Sequence, residues 1–493
     1  MLWKNIPILL ILLPLGLSSV TALLKGKHAR ALMTGVNALC LFMSGYLLYR
    51  TCMQPAAFAV RLGEVGAPFG NELYVSRTEA AVLTGFDLLL LLSLLAGRRQ
   101  ILRDVSANRL SLFYTVASLL LAALNALTLT NDIFSGYVFL EIMTIAAGAL
   151  IFSCSHRGAL LASMRYMIMN LLGSGLFLLG LSILYSLSGE LLFPGLLDKV
   201  SAVAVQGKYT GALFMGLTLI TLGLGMKSAL FPFHTWLPNA YSLSTPAASS
   251  ILSSLVSKAY IFLYIKIILR ATGLKAFTQS GAADILMAYA VLAIVMGSVD
   301  AIQQHNVRRM ISYSSVAQIG YIFLAVSLGT KEAMGAAIFQ IFAHSAAKAM
   351  LFPAVDRLVE VSGGNENFRD LRGSGYRAPL AGLAFTVGAF SIVGLPLLGG
   401  FSAKLFIARA SYGGAKMYIV LAAFAVSTVL NVIYFLRTVV TVYRKSDRQP
   451  NEGHVERFPV YDGAIILFTL INLYLGMGAG GILKIINDGI NLW

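Results

Sequence analysis

Charged residues are scarce in this chain. Asp, Glu, Lys and Arg together make up only 12% of its 493 residues, whereas hydrophobic residues make up 58%. Soluble domains contain about 25% charged residues. The composition therefore excludes an ordinary soluble domain, and the mean hydropathy of +0.79 favours an all-α polytopic membrane protein.

Cysteine is scarce as well. Cys40, Cys52 and Cys154 are scattered, without the spacing of a metal site. They imply no disulfide framework, iron–sulfur cluster or haem, so we expect no cofactor and no metal. The longest polar connections, near 356–378 and 443–460, are too short to form a soluble domain. Any soluble chemistry is expected to come from partner subunits.

Apolar runs are abundant instead, and each is long enough to span about 30 Å of hydrocarbon. The first run lacks a clear small-residue cleavage site and continues to a basic cluster, so we interpret it as a helix rather than a signal peptide. About fourteen transmembrane helices are predicted, near 5–24, 30–50, 80–97, 110–130, 133–152, 163–188, 211–230, 246–270, 285–301, 309–328, 332–355, 380–412, 415–441 and 462–484.

The net charge of +16 comes from basic residues that are concentrated in alternate loops. The loop after predicted helix 2 is mixed and includes Glu64, the loop after helix 4 holds only Asp132, and Arg270 and Lys275 after helix 8 are the exception. By the positive-inside rule the basic loops are cytoplasmic, which predicts a cell (inner) membrane protein with both termini outside and no nucleic-acid partner. The basic loops follow helices 1, 3, 5, 9, 11 and 13 and contain Lys25, Lys27, Arg30, Arg98, Arg99, Arg103, Arg109, Arg157, Arg308, Arg309, Arg369, Arg372, Arg377, Arg444, Lys445 and Arg448.

Four charges lie inside runs that are otherwise apolar enough to cross a membrane: Glu141, Lys227, Lys258 and Lys404. A charge at bilayer depth costs roughly 2.5 to 3.5 kcal/mol on insertion scales. Several such charges together indicate an ion or proton path.

The segment 223–240, GLGMKSALFPFHTWLPNA, is the sharpest local signal. Pro232 cannot donate a backbone hydrogen bond, so predicted helix 7 should break near Leu230 to Phe233, about one turn after Lys227. His234 follows Lys227 at i+7, on nearly the same helical face. The alternative is a simple proline kink with Lys227 snorkelling to the interface.

A second interruption is predicted at 394–404, GLPLLGGFSAK, just before Lys404. Breaks in helices 7 and 12, five helices apart, predict two inverted five-helix repeats, helices 4–8 and 9–13. Two unrelated flexible points are the alternative. The residues that predict the second break are Gly394, Pro396, Gly399 and Gly400. The predicted units are 1–100 for helices 1–3, 101–275 for the first repeat, 276–442 for the second repeat and 443–493 for the C-terminal helix.

The sequence around Lys258, ILSSLVSKAYIFLYIKIILR, offers hydroxyl groups for an ammonium. They belong to Ser253, Ser254, Ser257 and Tyr260. Lys266 and Arg270, nearer the end of this helix, are interpreted as interfacial anchors.

On predicted helix 11, His344 and Lys348 lie one turn apart on one face. Histidine titrates near neutral pH and relays protons, although a lone histidine on an apolar face is usually a packed core residue. Glu141 is the only deep acid of the early helices, and Lys227 is its predicted partner.

These motifs, taken in order, resemble the antiporter-like subunit family. The resemblance lies in VFLEIMTIAAGALI around Glu141, KSALFPFHTWLPNA, SSLVSKAYIFL, VRRMISYSSVAQIGYI, FAHSAAKAMLF and GLPLLGGFSAKLF, and covers roughly residues 100–440. The family includes proton-pumping membrane subunits of respiratory complex I, the large subunits of Mrp-type multisubunit cation/proton antiporters, and subunits of membrane-bound hydrogenases.

The resemblance implies a fourteen-helix core with broken helices 7 and 12 and a charged axis through the membrane plane. Some members carry glutamate at the position of Lys404, and lysine here resembles the others. Asn306 stands where many members have an acid before the basic pair, which puts a salt bridge there in doubt. We expect no counterpart of the long lateral helix that follows helix 14 in one complex I subunit. The implied relay comprises Glu141, Lys227, Lys258, His344, Lys348 and Lys404, and the break motif adds His234.

The resemblance further implies a proton-translocating subunit of a multisubunit complex, with sodium translocation left open. Redox energy or an ion gradient would enter through other membrane subunits, including further antiporter-like ones. The chain would then be a non-redox subunit of an NADH dehydrogenase-like oxidoreductase, of a membrane-bound hydrogenase or of a cation/proton antiporter. The alternatives are a free-standing transporter of a small solute, since broken helices and inverted repeats also serve those proteins, and a non-conducting scaffold.

Overall fold

The computed structural model describes residues 2–54, 56–62, 71–207, 209–445 and 458–493. Glu64 and Arg448 lie outside the described residues. The helices are α1 (Ile6–Leu23), α2 (Gly26–Met53), α3 (Arg77–Ala96), α4 (Arg98–Asp104), α5 (Leu110–Leu129), α6 (Ile133–Phe152), α7 (Ala159–Ser188), α8 (Phe193–Gln206), α9 (Thr210–Lys227), α10 (Leu237–Ser242), α11 (Pro246–Ile251), α12 (Ser257–Lys266), α13 (Leu274–Gln279), α14 (Ala282–Ile302), α15 (Val307–Val326), α16 (Lys331–Glu360), α17 (Ser374–Arg377), α18 (Pro379–Val393), α19 (Gly399–Ser411), α20 (Met417–Tyr443), α21 (Pro459–Met477) and α22 (Ala479–Ile490).

Short irregular helices complete this set. Three are 3₁₀ helices, at Leu2–Asn5, Ala107–Arg109 and Phe233–Trp236. Two are π-helical: Leu252–Val256 joins α11 to α12, and Ile267–Thr272 extends α12, so that Pro246–Thr272 forms one long span.

Twelve of the described helices are long and apolar enough to cross a membrane, so the chain is a multi-pass all-α membrane protein, as predicted. Two predicted spans do not meet this criterion. One is split into α18 and α19. The other is α15, whose polar side chains are accommodated because nearly the whole helix is buried among other helices.

The centre of the bundle consists of the α11–α12 span and α16, whose most apolar 18-residue stretches consist entirely of buried residues. In the corresponding stretches of α1 and α2, which lie at the periphery, only 33% of the residues are buried. The central helices carry Lys258, His344 and Lys348. The architecture therefore places these three side chains farthest from lipid and solvent.

Both chain termini lie at one end of the bundle, called here the terminus end. A β-hairpin lies there too, formed by β1 (Phe58–Leu62) and β2 (Asn71–Val75), with Phe58 opposite Val75. Trp3 packs edge-on against Phe58, with ring centroids 4.9 Å apart. The Tyr74 hydroxyl donates to the carbonyl of Leu492 at 2.6 Å. No strand is predicted from the sequence, where this segment reads only as a mixed loop.

The opposite end, called here the basic end, brings together loops that the charge pattern assigns to one side. Arg103, after α3, contacts Asp356 of α16 at 3.1 Å, and Arg308 of α15 contacts the same carboxylate. The alternation of basic loops is therefore preserved in the fold. The orientation of this end in the membrane stays a prediction.

The predicted C-terminal helix at 462–484 is not one helix. It divides at Gly478 into α21 and α22. The inverted relation between the two predicted repeats, and the predicted unit boundaries, stay predictions.

Candidate functional site

The break in predicted helix 7 falls about one turn earlier than expected. Helix α9 ends at Lys227 rather than near Leu230. In a continuous helix the Pro232 ring would clash with the Ser228 carbonyl. The residue that precedes a proline also disfavours helical geometry. The freed carbonyl of Met226 accepts from the Ala229 amide at 3.2 Å and from the Trp236 indole at 3.3 Å. Protein groups therefore provide hydrogen bonds to the backbone freed at the break, as a membrane interior requires.

Lys227 and Glu141 form the predicted pair. The Lys227 ammonium lies 3.4 Å from Glu141 Oε1, and its side chain is completely buried while that of Glu141 is 23% exposed. Lys227 also donates to the Thr144 hydroxyl at 2.8 Å, and Ser174 donates to Glu141. Thr144 lies one turn after Glu141 on α6, a spacing visible in the sequence; Ser174, on α7, gives no such signal.

His234 is not on the face of Lys227. Because α9 has already ended, the i+7 relation does not apply, and His234 lies on the separate 3₁₀ helix Phe233–Trp236. Its Nε2 lies 3.4 Å from Asp300 Oδ2, and its ring stacks on Phe231. Asp300 is a charged residue on the apolar helix α14 that is not among the site residues predicted from the sequence.

Lys258 is buried at the junction of a π-helical turn and α12. Its ammonium donates to the backbone carbonyl of Ser253 rather than to the hydroxyl groups expected around it. A π-helical turn changes the backbone hydrogen-bond register, and such turns are frequent at functional sites. Among the ion pairs of the described residues, none includes Lys258.

Tyr260, two residues after Lys258 on α12, reaches Lys227 through the hydroxyl of Thr144. The Tyr260 hydroxyl lies 3.0 Å from that of Thr144, and the Lys227 ammonium lies 5.5 Å from the centre of the Tyr260 ring. Tyr260 thus faces Lys227, although it follows Lys258 closely in sequence. The arrangement links α6 and α9 to the central span.

His344 and Lys348 are both buried on α16. Lys348 donates to the Ile311 carbonyl at 2.5 Å and to the Ser314 hydroxyl at 2.6 Å. The two ring nitrogens of His344 have no hydrogen-bond partner among the described residues. Lys258 and Lys348 both lie within electrostatic range of the imidazole. The structure therefore brings the three central groups together.

The second break occurs where it is predicted. Helix α18 ends at Val393, Gly394 adopts a φ of +92°, and α19 begins at Gly399. The Lys404 ammonium donates to the Val393 carbonyl at 2.7 Å and to the Thr428 hydroxyl at 3.2 Å. A helix C-terminus carries partial negative charge, so Lys404 stabilises the broken end of α18.

Lys266 and Arg270 are not interfacial anchors. Both are buried beside Glu79 of α3, whose Oε1 lies 3.6 Å from Lys266 and 3.9 Å from Arg270. We call these three residues the terminal clamp. Lys266 also donates to the carbonyls of Thr128 and Thr130 at 2.8 and 2.7 Å.

The terminal clamp reaches the hairpin and the C-terminus. The Arg270 guanidinium stacks 3.5 Å above the Tyr74 ring, and the Trp493 indole donates to Glu79 at 3.1 Å. Burial, and then the charge of Glu79, raise the pKa of Tyr74 to about 12. The phenol therefore stays protonated and can donate to the C-terminal backbone.

At the basic end, Asn306 replaces the acid that many family members have, and carboxylates from elsewhere in the chain contact the neighbouring residues instead. Asn306 caps α15 by accepting from the Arg309 amide at 3.1 Å, and it donates to Glu366 at 2.6 Å. Arg308 pairs with Glu366 at 3.1 Å and with Asp356. Arg308 therefore has carboxylate partners without an acid at position 306, and Arg309 donates from its Nε to Gln304 at 3.2 Å.

Comparison with known proteins shows relatives over nearly the whole chain and a solved structure with the same fold. NADH-quinone oxidoreductase subunit N of Desulforudis audaxviator (strain MP104C) is 29% identical, over 93% of this chain and 90% of that protein. A Na(+)/H(+) antiporter subunit of Bacillus subtilis (strain 168) is 27% identical, over 96% and 94%. A chain of the membrane-bound sulfane sulfur reductase, an archaeal respiratory membrane complex, has a TM-score of 0.87 at 25% identity, over 99% of this chain and 97% of that one.

The family model described as NADH:quinone oxidoreductase/Mrp antiporter, TM, matches residues 130–431. This range contains the Glu141–Lys227 pair, the three central groups and Lys404. Since the match extends over more than half of the sequence, the chain belongs to the NADH:quinone oxidoreductase/Mrp antiporter family.

Proposed function

We propose that this chain is a proton-translocating, antiporter-like subunit of a multisubunit membrane complex. The observation that carries the proposal is the contact between the buried Lys227 ammonium and the partly exposed Glu141 carboxylate. The pair lies in a membrane-spanning bundle that also buries Lys258, His344 and Lys348. We call these five residues, together with Lys404, the relay.

The chemistry follows from the charges. The Glu141 carboxylate stabilises the Lys227 ammonium, and its withdrawal, or the approach of another cation, favours release of the proton. Thr144 and Tyr260 provide hydroxyl groups between Lys227 and the central span. The proton would then pass by way of Lys258 to the central pair on α16.

The central groups are coupled because they are close together. A positive charge on Lys258 repels a positive charge on His344 or Lys348, so the charge on each of the three groups affects the others. The His344 imidazole has two ring nitrogens, so it can accept a proton at one and donate a proton from the other. Transfer continues to Lys404, which lies at the second broken helix.

The energy source belongs to a neighbouring subunit in this proposal. The relatives are named as subunits of an NADH-quinone oxidoreductase and of a Na(+)/H(+) antiporter, which supports a place in such a complex beside further antiporter-like subunits. The 23% exposure of Glu141 leaves this carboxylate accessible to a neighbour. We further propose a cell-membrane location with both termini outside, and movement of protons, with sodium to be tested alongside them.

Neither alternative is favoured by a specific observation. Two clefts, of about 740 and 670 Å³, lie at the basic end and beside α19, and no relay residue lines either one. They do not support a solute site at the relay. A scaffold without transport does not require buried lysines whose partners are only neutral groups, as found for Lys258 and Lys348.

The test is proton and sodium movement in inverted vesicles that carry the whole complex. We expect Lys227→Ala and Glu141→Gln each to assemble in normal amount and to reduce proton movement at least tenfold. Lys331→Ala, at an exposed lysine at the start of α16, is the matched control and is expected to transport normally. Normal transport by the two assembled relay variants would show that the subunit is a scaffold.

A further inference from the structure

The first turn of the chain and the end of α2 form a cleft at the terminus end, called here the basic cleft. It has a volume of about 300 Å³ and lies between the 3₁₀ helix Leu2–Asn5 and the segment that leads from α2 into β1. Two basic side chains, Lys4 and Arg50, line it, and no acidic side chain of the described residues does. A cleft with two positive charges and no carboxylate attracts an anion.

Arg50 lacks a compensating charge. Its guanidinium donates to the amide oxygen of Gln54 at 3.3 Å, but its Nε is buried and has no hydrogen-bond partner among the described residues. No ion pair of the described residues includes Arg50. Because a guanidinium stays charged and a buried donor without a partner is unfavourable, this group requires an acceptor that the described chain does not supply.

Acidic side chains of the hairpin, of α3 and of α22 lie at the same end but have other cations as partners. Glu72 of β2 pairs with Arg61 at 3.7 Å. Asp488 of α22 pairs with Arg77 at 2.6 Å. Glu79 of α3 belongs to the terminal clamp. The carboxylates of this region are therefore occupied, and the charge of Arg50 is left for a ligand.

The geometry around Arg50 suits a phosphate group. The guanidinium carbon lies over the Trp3 ring, 5.2 Å from its centre, and Phe58 packs against the same ring. These contacts fix the position of the guanidinium and provide no acceptor for its N–H groups. A guanidinium binds phosphate through two parallel hydrogen bonds, and the amide nitrogen of Gln54 offers further donors at the cleft.

The surroundings of the cleft indicate the source of the phosphate. The exposed large side chains of α2 are apolar or aromatic, and their helical spacing places them on one face that ends beside Arg50. Such a face is suited to contact with acyl chains, and tyrosine and tryptophan are enriched at the depth of lipid headgroups. A phospholipid can use both the face and the cleft, whereas free phosphate can use only the cleft. The residues of this face are Leu39, Phe42, Tyr46, Tyr49 and Met53.

We propose that the basic cleft binds the phosphate group of an anionic phospholipid such as phosphatidylglycerol. Lys4 and Arg50 would neutralise the headgroup, and Gln54 would donate to it. Two cations without an acid favour a headgroup of net negative charge over a zwitterionic one. The relay residues lie on other helices, so the site does not depend on the proposed proton path. A bound lipid would fasten the first turn of the chain to α2.

The test uses the purified whole complex after its lipids have been removed with detergent. Dioctanoyl phosphatidylglycerol should raise the melting temperature at a lower concentration than dioctanoyl phosphatidylcholine. Arg50→Gln should increase the phosphatidylglycerol concentration for half-effect at least tenfold, and Lys4→Gln at least threefold. Arg61→Gln, at an exposed arginine of the hairpin outside the cleft, is the matched control and should behave as the native chain. An unchanged half-effect concentration in Arg50→Gln would overturn the proposal.

Inorganic phosphate distinguishes the two sources of the ligand. It should leave the melting temperature of the native complex unchanged at concentrations where the lipid is saturating. If phosphate reproduced the effect of the lipid and Arg50→Gln abolished it, the cleft would be a site for free phosphate and the assignment to a lipid would be wrong.

A second measurement on the native complex needs no variant. Phosphatidylglycerol with a photoactivatable group in its headgroup should label the peptides that contain Trp3 or Phe58, which line the cleft. Excess dioctanoyl phosphatidylglycerol should decrease this labelling at least fivefold, and dioctanoyl phosphatidylcholine should not. Absence of labelling in these peptides, or labelling that neither lipid changes, would exclude the site.

Discussion

Lys258 and Lys266 lie about two turns apart on α12 and are both completely buried, yet their ammonium groups have different partners. Lys266 contacts the carboxylate of Glu79 and two backbone carbonyls. Lys258 contacts one backbone carbonyl and, within the part of the chain that the structure describes, no carboxylate. The charge of Lys266 is compensated, whereas that of Lys258 is not.

The comparison teaches that burial alone does not identify a proton carrier. A buried ammonium with a carboxylate and two backbone carbonyls as partners is held in place by these contacts. A buried ammonium with a single neutral partner is costly when charged. We therefore propose a structural role for Lys266 and a transport role for Lys258.

The largest effect is expected from Glu79→Ala. This variant leaves Lys266 and Arg270 buried without their carboxylate, at a cost of about 3 to 5 kcal/mol. We expect the subunit to be lost from the complex, measured by its amount in purified membranes. The double variant Glu79→Ala with Lys266→Met should recover part of the assembly, because it removes one of the two orphaned charges. Normal assembly of Glu79→Ala would contradict the role of the terminal clamp.

An intermediate effect is expected from Lys404→Met. The Val393 carbonyl loses its donor, which costs about 1 to 3 kcal/mol for a buried acceptor. The complex should assemble with a lower melting temperature and with proton movement reduced at least tenfold. Lys404→Arg keeps a cation at this position and should restore most of the stability but not the transport, because arginine does not release its proton. Full transport by Lys404→Arg would remove Lys404 from the relay.

The smallest effect is expected from Tyr74→Phe. It removes one hydrogen bond to the Leu492 carbonyl and keeps the aromatic ring under Arg270. We expect a loss of about 0.5 to 1.5 kcal/mol, seen as a small decrease in melting temperature with unchanged proton movement. If transport fell instead, the hairpin would belong to the functional path rather than to the structural region.

The sequence predicts the Glu141–Lys227 contact better than the terminal clamp, and the reason is physical. Glu141 and Lys227 are conspicuous because each is a lone charge in an apolar run, and their pairing follows from the scarcity of other deep charges. Lys266 and Arg270 lie near the end of a run, where anchors are also common. Only the fold brings Glu79 and the carbonyls of the α5–α6 connection to them.

For the two helix breaks as well, the sequence predicts one part of the structure and leaves another part unpredicted. Proline and glycine predict that two helices are interrupted, and both interruptions are present. The end of α9 and the placement of His234 depend on how the freed backbone groups find partners, such as the Trp236 indole. Those partners come from tertiary contacts that the local sequence does not specify.

The most direct test of the central claim is proton movement per assembled complex in inverted vesicles that carry Lys258→Met. Methionine keeps much of the side-chain volume and removes an ammonium that contacts no carboxylate among the described residues. We predict normal assembly with proton movement reduced at least tenfold. Native proton movement by the assembled Lys258→Met complex would contradict the relay.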